Sequence, residues 1–416
     1  MDRFAGEVRP TATVAVDDLE KNRPNCEVRD QSSTFFLGFR VIPVVVLMAC
    51  CGIYSASAQT ATLDVIRVSD DGRGFVGATR GATFLPWGFN YDHDRDGRLL
   101  EDYWVNEWET VVADFREMRE LGANTVRIHL QLGKFLTSPN EADAKQLERL
   151  KRLVKLAEDE RLYLDLTGLG CYHKADVPAW YDALDESARW EAQAVFWDAI
   201  ARVCADSPAI FCYDLMNEPV SPAGKGPPDR WLGPPFAGKH FVQYLATDQA
   251  GRARPQIAID WIKRMTAAIR RHDRRHLVTV GLVDWSLDRP GLTSGLIPDQ
   301  IAPHLDFLCV HLYPSQDKRA EDLETLAAFA RCGKPVVIEE TFPLRCRPEE
   351  FRRFLRESRP HAAGYLSFYW GETPQELERR KGELAKSKRS PEEQLRDAIG
   401  ISLQLESLAA FRDAPP

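Results

Sequence analysis

Eight short β-rich runs, separated by stretches of helical character, are the feature that most limits how this chain can fold. Val, Ile, Leu and Tyr dominate these runs, as in strands that helices cover. A strand followed by a helix, eight times over, predicts an α/β fold of the (β/α)8 TIM-barrel type. The predicted strands are 84–90, 124–130, 162–168, 210–218, 276–283, 307–313, 335–341 and 364–370. The predicted helices are 107–121, 142–160, 187–204, 255–272, 319–331, 348–357 and 394–411.

The chain divides into a leader, residues 1–58, and a single barrel domain, residues 59–416. Residues 62–80 contain an Asp-Gly pair typical of a tight turn and predict a short β-hairpin over the barrel floor. Residues 221–240, after the fourth strand, are rich in Pro and Gly and predict a long loop. The domain therefore carries its longest excursion on the side where the strands end.

The leader has the features of an export signal. Its apolar run, residues 41–53, is too short to span a bilayer but suits a signal-peptide core, and Ala56-Ser57-Ala58 offers a cleavage site. A second interpretation makes Leu47-Met48-Ala49-Cys50 a lipoprotein box with Cys50 lipidated. The segment before this apolar run is long and has no excess of basic residues, and Arg40 is the one basic residue directly beside the run. This departs from the basic start that is usual for a signal peptide. We expect a secreted, periplasmic or lipid-anchored protein.

Charge and cysteine content exclude several classes of protein. With 54 Lys and Arg against 62 Asp and Glu, the net charge of −8 argues against a general nucleic-acid binder. The sequence contains no stretch of 18 or more apolar residues, so we expect no membrane-spanning helix. Six cysteines follow the leader, of which Cys204 and Cys212 could meet, although buried free thiols are the alternative. We expect a monomer.

Two strand ends carry carboxylates. Asn217-Glu218-Pro219 ends the fourth strand, and Glu339-Glu340-Thr341 ends the seventh. The C-terminal ends of all strands of a (β/α)8 barrel face the same mouth, where active sites lie. The two acidic groups are therefore candidates for a shared catalytic centre. The alternative is two separate structural salt bridges.

These motifs resemble family 5 glycoside hydrolases, which are retaining (β/α)8 glycosidases of the cellulase and mannanase type. Five motifs occur in the family's order over residues 84–370, and a sixth position departs from it. The matching motifs are Thr125-Val126-Arg127-Ile128, Asn217-Glu218-Pro219, His311-Leu312-Tyr313-Pro314, Lys334-Pro335-Val336-Val337-Ile338-Glu339-Glu340 and Trp370. At the end of the third strand, where family members often have His, this chain has Thr167, so His129 or His173 would have to compensate.

The resemblance implies that Glu218 is the general acid/base and Glu340 the nucleophile of a double displacement, which needs two carboxyl groups ~5–5.5 Å apart. Strand side chains alternate, so only one of Glu339 and Glu340 should reach the barrel axis, and the family's spacing after Lys334-Pro335 selects Glu340. Glu339 should then pack outward or pair with a neighbour such as an arginine. Arg127 would donate to Glu340 and hold it ionised.

The remaining site residues also take their roles from the resemblance. Asn217 would bind the sugar 2-hydroxyl, and Trp370 would form the stacking floor of the −1 subsite. The complete set of predicted substrate-binding residues is Arg127, Asn217, His311, Tyr313, Trp370, Asn90 and His129. Aromatic side chains near strand ends predict an aromatic cleft mouth: Trp87, Tyr91, Trp104, Tyr172, Trp180, Trp231 and Trp285.

One loop resembles the start of a calcium-binding loop. Asp92, Asp94 and Asp96, followed by Gly97, have the D-x-D-x-D-G spacing, but Tyr103 stands where a bidentate Glu is expected. We state a structural Ca²⁺ here as an expectation, with a solvated acidic turn or direct sugar contacts as alternatives. No other cofactor is expected.

The sequence thus predicts an exported retaining glycosidase that cleaves a β-linked polysaccharide or oligosaccharide, β-mannan or β-glucan. Within the resemblance, two consecutive glutamates at the seventh strand are closer to the endo-β-mannanase type, and an endo-β-1,4-glucanase is the alternative. Two other functions stay open: a non-catalytic carbohydrate-binding barrel, and a metal-dependent barrel hydrolase that uses Asp92 and Asp94.

Overall fold

Eight parallel strands close into a barrel in the order of the sequence, as the alternating pattern predicted. The structure is a computed structural model that describes residues 62–222, 224–227, 230–384 and 386–413. The predicted leader therefore lies outside the described residues. The barrel strands are β1 Trp87–Tyr91, β2 Thr125–Gln131, β3 Tyr163–Gly170, β4 Ile210–Asn217, β5 Leu277–Val283, β6 Leu308–His311, β7 Val336–Thr341 and β8 Gly364–Ser367.

Helices cover the outside of the barrel, and every residue of the eight strands is buried. Asp143 and Asp185 start two of the helices, since their carboxylates accept backbone N–H groups of the first turn. The long helices are Trp108–Glu120, Ala144–Glu160, Glu186–Cys204, Arg254–Arg270, Arg319–Ala330, Pro348–Glu357, Pro374–Leu384 and Pro391–Asp413. Shorter α-helical turns are Leu100–Tyr103, Leu132–Phe135, Ala179–Asp182 and Pro298–Ile301, and 3-10 turns are Lys174–Asp176, Asp284–Ser286 and Ala302–His304.

An N-terminal antiparallel sheet closes the barrel floor. The predicted hairpin is present as Ile66–Val68 and Phe75–Gly77, and Thr83–Phe84 adds a third strand. Phe75 packs edge-on against Phe211 and Phe307, with ring centroids 5.1 and 5.2 Å apart. This aromatic cluster seals the end of the barrel that is opposite the strand ends with the predicted catalytic residues.

The long loop after β4 folds back on the barrel mouth. Pro219–Val220 pairs in parallel with Gln243–Tyr244, and Gln243 donates to the Leu169 carbonyl at the end of β3 over 2.6 Å. A second small sheet, Leu136–Ser138 with Glu141–Ala142, lies after β2. The β4 loop is therefore anchored beside the residues that the sequence predicts as catalytic.

The six cysteines in the described part of the chain are free, four of them buried, so the alternative of buried thiols is the one that the structure has. None of the helices in that part is both long and apolar enough to cross a bilayer.

Candidate active site

Glu218 and Glu340 meet at the barrel mouth. One carboxylate oxygen of each lies within 4.8 Å of the other, with a ring nitrogen of His311 within the same distance of both. The Glu218 side chain is 19% exposed and that of Glu340 is 7% exposed, so the pair faces a cleft and not bulk water. Carboxyl groups this close fit a retaining double displacement better than an inverting mechanism, which needs a separation of roughly 6.5–9.5 Å.

The backbone turns at Glu218 to aim its side chain. Glu218 has a φ of +46°, in the left-handed region that residues with a Cβ rarely occupy. Its N–H donates to the Gly281 carbonyl of β5 over 3.0 Å, which fixes this conformation. Such a residue at the end of a buried strand is typical of a functional site.

Both glutamates of β7 point into the barrel, so the prediction that Glu339 packs outward is wrong. Val310 of β6 pairs with Ile338, but the next residue, His311, pairs with Glu340, which leaves Glu339 as the additional residue of a β-bulge. A bulge breaks the alternation of side chains. The alternative of an arginine partner is the observed one, because Glu339 lies 3.5 Å from Arg127.

Arg127 connects the strands beneath the mouth and is fully buried. Its Nη1 donates to Glu340 Oε1 over 2.6 Å, and its Nη2 donates to Asp214 Oδ2 over 2.8 Å. Its Nε donates to the Thr167 hydroxyl over 2.7 Å. All three nitrogens of the planar guanidinium thus donate hydrogen bonds at the same time, a geometry that lysine cannot reproduce.

Tyr313 and His311 hold the other side of Glu340. The Tyr313 hydroxyl donates to Glu340 Oε2 over 2.6 Å. His311 Nδ1 lies 3.1 Å from Glu218 Oε1 and 3.5 Å from Glu340 Oε2, and its Nε2 lies 3.2 Å from Glu339 Oε2. His311 therefore touches both members of the carboxylate pair.

The electrostatics of the site favour a charged His311. Burial lowers the pKa of His311, but Glu340, Glu218 and Glu339 outweigh this effect and raise it to about 10. Burial outweighs the cations His311 and Arg127 at Glu340, so the pKa of this carboxyl group lies above its usual value. The donors on both oxygens of Glu340 fit its ionised form.

Asn217, Asn90 and His129 lie next to this centre. Asn217 accepts from Arg127 Nη2 over 3.0 Å, and its amide donates to the Phe241 carbonyl. Asn90 Oδ1 accepts from Arg127 Nη1 over 2.9 Å and lies 3.1 Å from His129 Nε2. Burial lowers the pKa of His129 well below its usual range, so its ring is neutral. Their predicted sugar contacts stay predictions.

Most of the predicted aromatic mouth belongs to the core. Trp370 is 1% exposed and packs against Phe89, so its ring is not open to a sugar and its predicted stacking role is wrong. Trp180 and Trp285 are half-buried. The other five predicted mouth aromatics are buried: Trp87, Tyr91, Trp104, Tyr172 and Trp231.

Phe368, which sequence reasoning missed, lies at the mouth. It directly follows β8, is half-buried, and its ring centroid is 6.3 Å from those of both Tyr313 and His93. Its position immediately after the strand end is the signal that could have identified it.

The structure does not support the calcium prediction. Asp94 accepts from the backbone N–H groups of Asp96 and Arg98 and from the Arg98 guanidinium. Asp92 Oδ1 lies 2.6 Å from His93 Nδ1. Asp92, Asp94 and Asp96 are also not among the sets of three potential ligand atoms within 4.8 Å of one another in the described part of the chain.

In the residues that the structure describes, two groups of side chains each have three potential metal-ligand atoms within 4.8 Å of one another. The first is Glu218, His311 and Glu340 at the mouth, and the second is Asp165, Asp214 and Glu339 below it. The first group is the carboxylate pair with its histidine, and the second group surrounds Arg127 and is closed to solvent.

The buried acids Asp165 and Asp214 lie beside the site and were also missed by sequence reasoning. Asp214 accepts from Arg127 and from the hydroxyl of Thr167, the residue at the position where family members often have His. A charged residue in an apolar strand was the signal, the same one that identified Arg127.

Comparison with known proteins assigns this barrel to a family. A family model described as "Cellulase (glycosyl hydrolase family 5)" matches residues 86–342, which is more than half of the chain. The chain belongs to glycoside hydrolase family 5. The match covers β1 to β7 and includes Arg127, Glu218 and Glu340.

Individual relatives of this family 5 chain are distant. A probable mannan endo-1,4-beta-mannosidase C from Aspergillus terreus is 30% identical over 150 residues, 32% of each protein, so the match spans about a third of that relative. The solved exo-beta-1,4-mannosidase from Opitutaceae bacterium strain TAV5 has 20% identity and a TM-score of 0.57, over 83% of this chain and 61% of that one. The endo-1,4-beta-mannanase from Rhizomucor miehei has 19% identity and a TM-score of 0.53, over 74% of this chain and 90% of that one. The two solved structures support the barrel fold.

Proposed function

We propose that this protein is a retaining glycoside hydrolase that cleaves β-mannan or β-mannosyl oligosaccharides. The observation that carries the proposal is the approach of Glu218 and Glu340 to within 4.8 Å at the barrel mouth. Membership of family 5 supports the reaction class. The names of the relatives, a mannan endo-mannosidase and an exo-mannosidase among them, favour mannose over glucose as the sugar.

In the first step, Glu340 attacks the anomeric carbon and Glu218 protonates the departing glycosidic oxygen. Arg127 and Tyr313 each donate to one oxygen of Glu340, so the carboxylate is oriented before the substrate arrives. The C–O bond to the leaving sugar breaks as the bond to Glu340 forms.

In the second step, Glu218, now ionised, takes a proton from water, and the water oxygen displaces Glu340 from the sugar. His311, 3.1 Å from Glu218, offers its Nδ1–H to the carboxylate that has just lost its proton. The two inversions together retain the β configuration.

A panel of β-mannan, cellulose, xylan and aryl β-glycosides tests the proposal. We expect turnover of β-mannan and aryl β-mannosides, with transglycosylation products when an alcohol is added. Glu218→Gln and Glu340→Gln should each lose activity by orders of magnitude, whereas Glu148→Gln, at an exposed helix position, should not. Turnover that survives in Glu340→Gln, or that a chelator abolishes while the fold persists, would overturn it.

We also propose that the protein is exported and monomeric. The apolar run 41–53 and the following Ala56-Ser57-Ala58 support export, and Cys50 is the site where lipidation would occur. Fractionation of the producing cells with mass spectrometry of the mature N-terminus tests export. A Cys50→Ser variant separates lipid anchoring from cleavage after Ala58. Light scattering measures the oligomeric state.

A further inference from the structure

Three acidic side chains lie together beneath the catalytic pair, inside the closed barrel. Asp165, Asp214 and Glu339 each have a carboxylate oxygen within 4.8 Å of the others, and all three residues are 0% exposed. The proposed double displacement does not use them. Buried carboxylates are costly unless cations pair with them and hydrogen-bond donors reach their oxygens.

Hydrogen-bond donors are distributed unequally among these three carboxylates. Asp214 Oδ2 accepts from Arg127 and Thr167, and its Oδ1 accepts from the Gly281 N–H over 2.7 Å. Glu339 Oε2 lies near Arg127 and His311, but its Oε1 lacks a donor among the residues described. Both oxygens of Asp165 lack one as well.

The charges cannot all be present at once. Arg127 and His311 are the cations that touch this layer, against the carboxylates Asp165, Asp214, Glu339 and Glu340. Like charges this close, out of water, force one group to stay protonated. Asp165 is the acid whose two oxygens both lack a partner at normal hydrogen-bond distance, with the weak thiol donor Cys212 beside it. A proton on Asp165 can be shared with Glu339, which has a carboxylate oxygen within 4.8 Å.

The pKa values agree with this geometry. Burial, and then the charge of Glu339, raise the pKa of Asp165 well above its usual range. Burial raises the pKa of Glu339, but Arg127 and His311 outweigh it and hold the value at about 2. The thiols of Cys212 and Cys309 beside the cluster have pKa values raised by burial and stay neutral.

We propose that Glu339 is a positioning residue that holds His311 as an imidazolium between the carboxylates, and that Asp165 is a neutral acid that donates to Glu339. The charged and titratable groups around His311 are Glu218 at the end of β4, Glu339 and Glu340 on β7, and Arg127 and His129 on β2. On β5 it faces Gly281, which has no side chain.

The inference deepens the proposed function and rests on it for its consequence. While Glu340 is esterified to the sugar, it carries no charge, and the fixed imidazolium keeps its Nδ1–H directed at Glu218 Oε1, 3.1 Å from the ring nitrogen, so the carboxyl group that acts as the base stays oriented. Glu339 therefore acts through His311 and does not touch the substrate.

Long-range ¹H–¹⁵N correlation spectra of the histidine rings test the proposal directly. The chain has nine histidines, and His311→Gln identifies the His311 signals by their loss. In the unsubstituted protein, both His311 nitrogens should show imidazolium shifts up to about pH 8. A neutral His311 ring at about pH 7 overturns the proposal, whether or not any variant folds.

Two variants complete the test. Glu339→Gln should lower the His311 pKa by roughly two pH units and reduce kcat roughly 10- to 100-fold with little change in KM. Asp165→Asn, which mimics the neutral acid and keeps a donor, should leave the His311 signals in their imidazolium form. An unchanged His311 titration in folded Glu339→Gln overturns the proposal. An unsubstituted protein that cleaves no glycoside but shows the predicted spectra contradicts the proposed function alone.

Discussion

The Tyr313 hydroxyl lies 2.6 Å from Oε2 of Glu340, the oxygen opposite the one that Arg127 holds. Burial raises the pKa of Tyr313 well above its usual range, so the phenol remains a donor throughout the working pH range. Each oxygen of the proposed nucleophile thus has its own fixed donor, and each donor can be removed separately.

Removal of the Tyr313 donor should slow catalysis without loosening the fold. We expect Tyr313→Phe to lower kcat by roughly 10- to 100-fold, since one hydrogen bond that orients Glu340 is lost. Steady-state kinetics on an aryl β-mannoside measure this change. The matched control is Tyr163→Phe at the barrel floor, which loses hydrogen bonds to Asp64 and should keep its kcat. Equal kcat values for Tyr313→Phe and the unsubstituted protein would count against the assigned role.

Arg127 should be as important for stability as for activity. Arg127→Met leaves Asp214, Glu339 and Glu340 without their shared cation, and we expect a loss of roughly 3–5 kcal/mol in the free energy of unfolding. Urea unfolding followed by fluorescence measures it. Arg116→Met is the control, because the Arg116 side chain is exposed and its partner Glu160 keeps a second arginine, Arg119, so a loss below about 1 kcal/mol is expected. Similar losses for both variants would contradict the account of the buried network.

Glu101 should make stability depend on pH. Burial raises its pKa to about 7, and its Oε1 accepts from the Gln131 N–H over 2.8 Å. The unfolded chain releases this proton near pH ~4, but the folded protein keeps it to about 7, so stability falls as pH rises between these values. In Glu101→Gln that decrease should be absent, a difference of roughly 1–3 kcal/mol above about pH 7 and none below about pH 4. Unfolding curves of both proteins over this range decide the matter, and a difference that is constant with pH would refute it.

The aromatic floor should contribute strongly to stability. Phe75→Ala removes a ring, 1% exposed, that packs against Phe211 and Phe307, and we expect a loss of roughly 3–5 kcal/mol. Phe236→Ala, at a ring that is 44% exposed, should change stability by less than about 0.5 kcal/mol. Thermal and urea unfolding give both values. A loss in Phe75→Ala as small as in the control would show that the N-terminal sheet does not seal the barrel.

The sequence predicted the barrel because strand residues buried on both faces leave a continuous apolar signal. It also placed Glu218 and Glu340 at the same mouth, since parallel strands end on one side. It failed for Glu339, because a bulge depends on how two strands pair and not on the residues of one strand.

The errors in the aromatic and acidic motifs have a different cause. Trp370 suits a core as well as a sugar platform, and its position three residues beyond the end of β8 does not tell which it joins. The acids of the 92–96 segment have a metal-loop spacing, but Asp94 is occupied by Arg98 and backbone amides. In both cases the role of the side chain depends on the residues that contact it in the folded chain, and a linear motif does not specify those contacts.

Trapping of the covalent intermediate tests the central claim most directly. A 2-deoxy-2-fluoro β-mannosyl fluoride slows both steps but keeps a good leaving group, so the glycosyl-enzyme should accumulate. Intact-protein mass spectrometry and peptide mapping should then show one added fluorosugar on Glu340, and none in Glu340→Gln. Attachment to another residue, or turnover of the β-glycoside with inverted configuration and no adduct, would contradict the account.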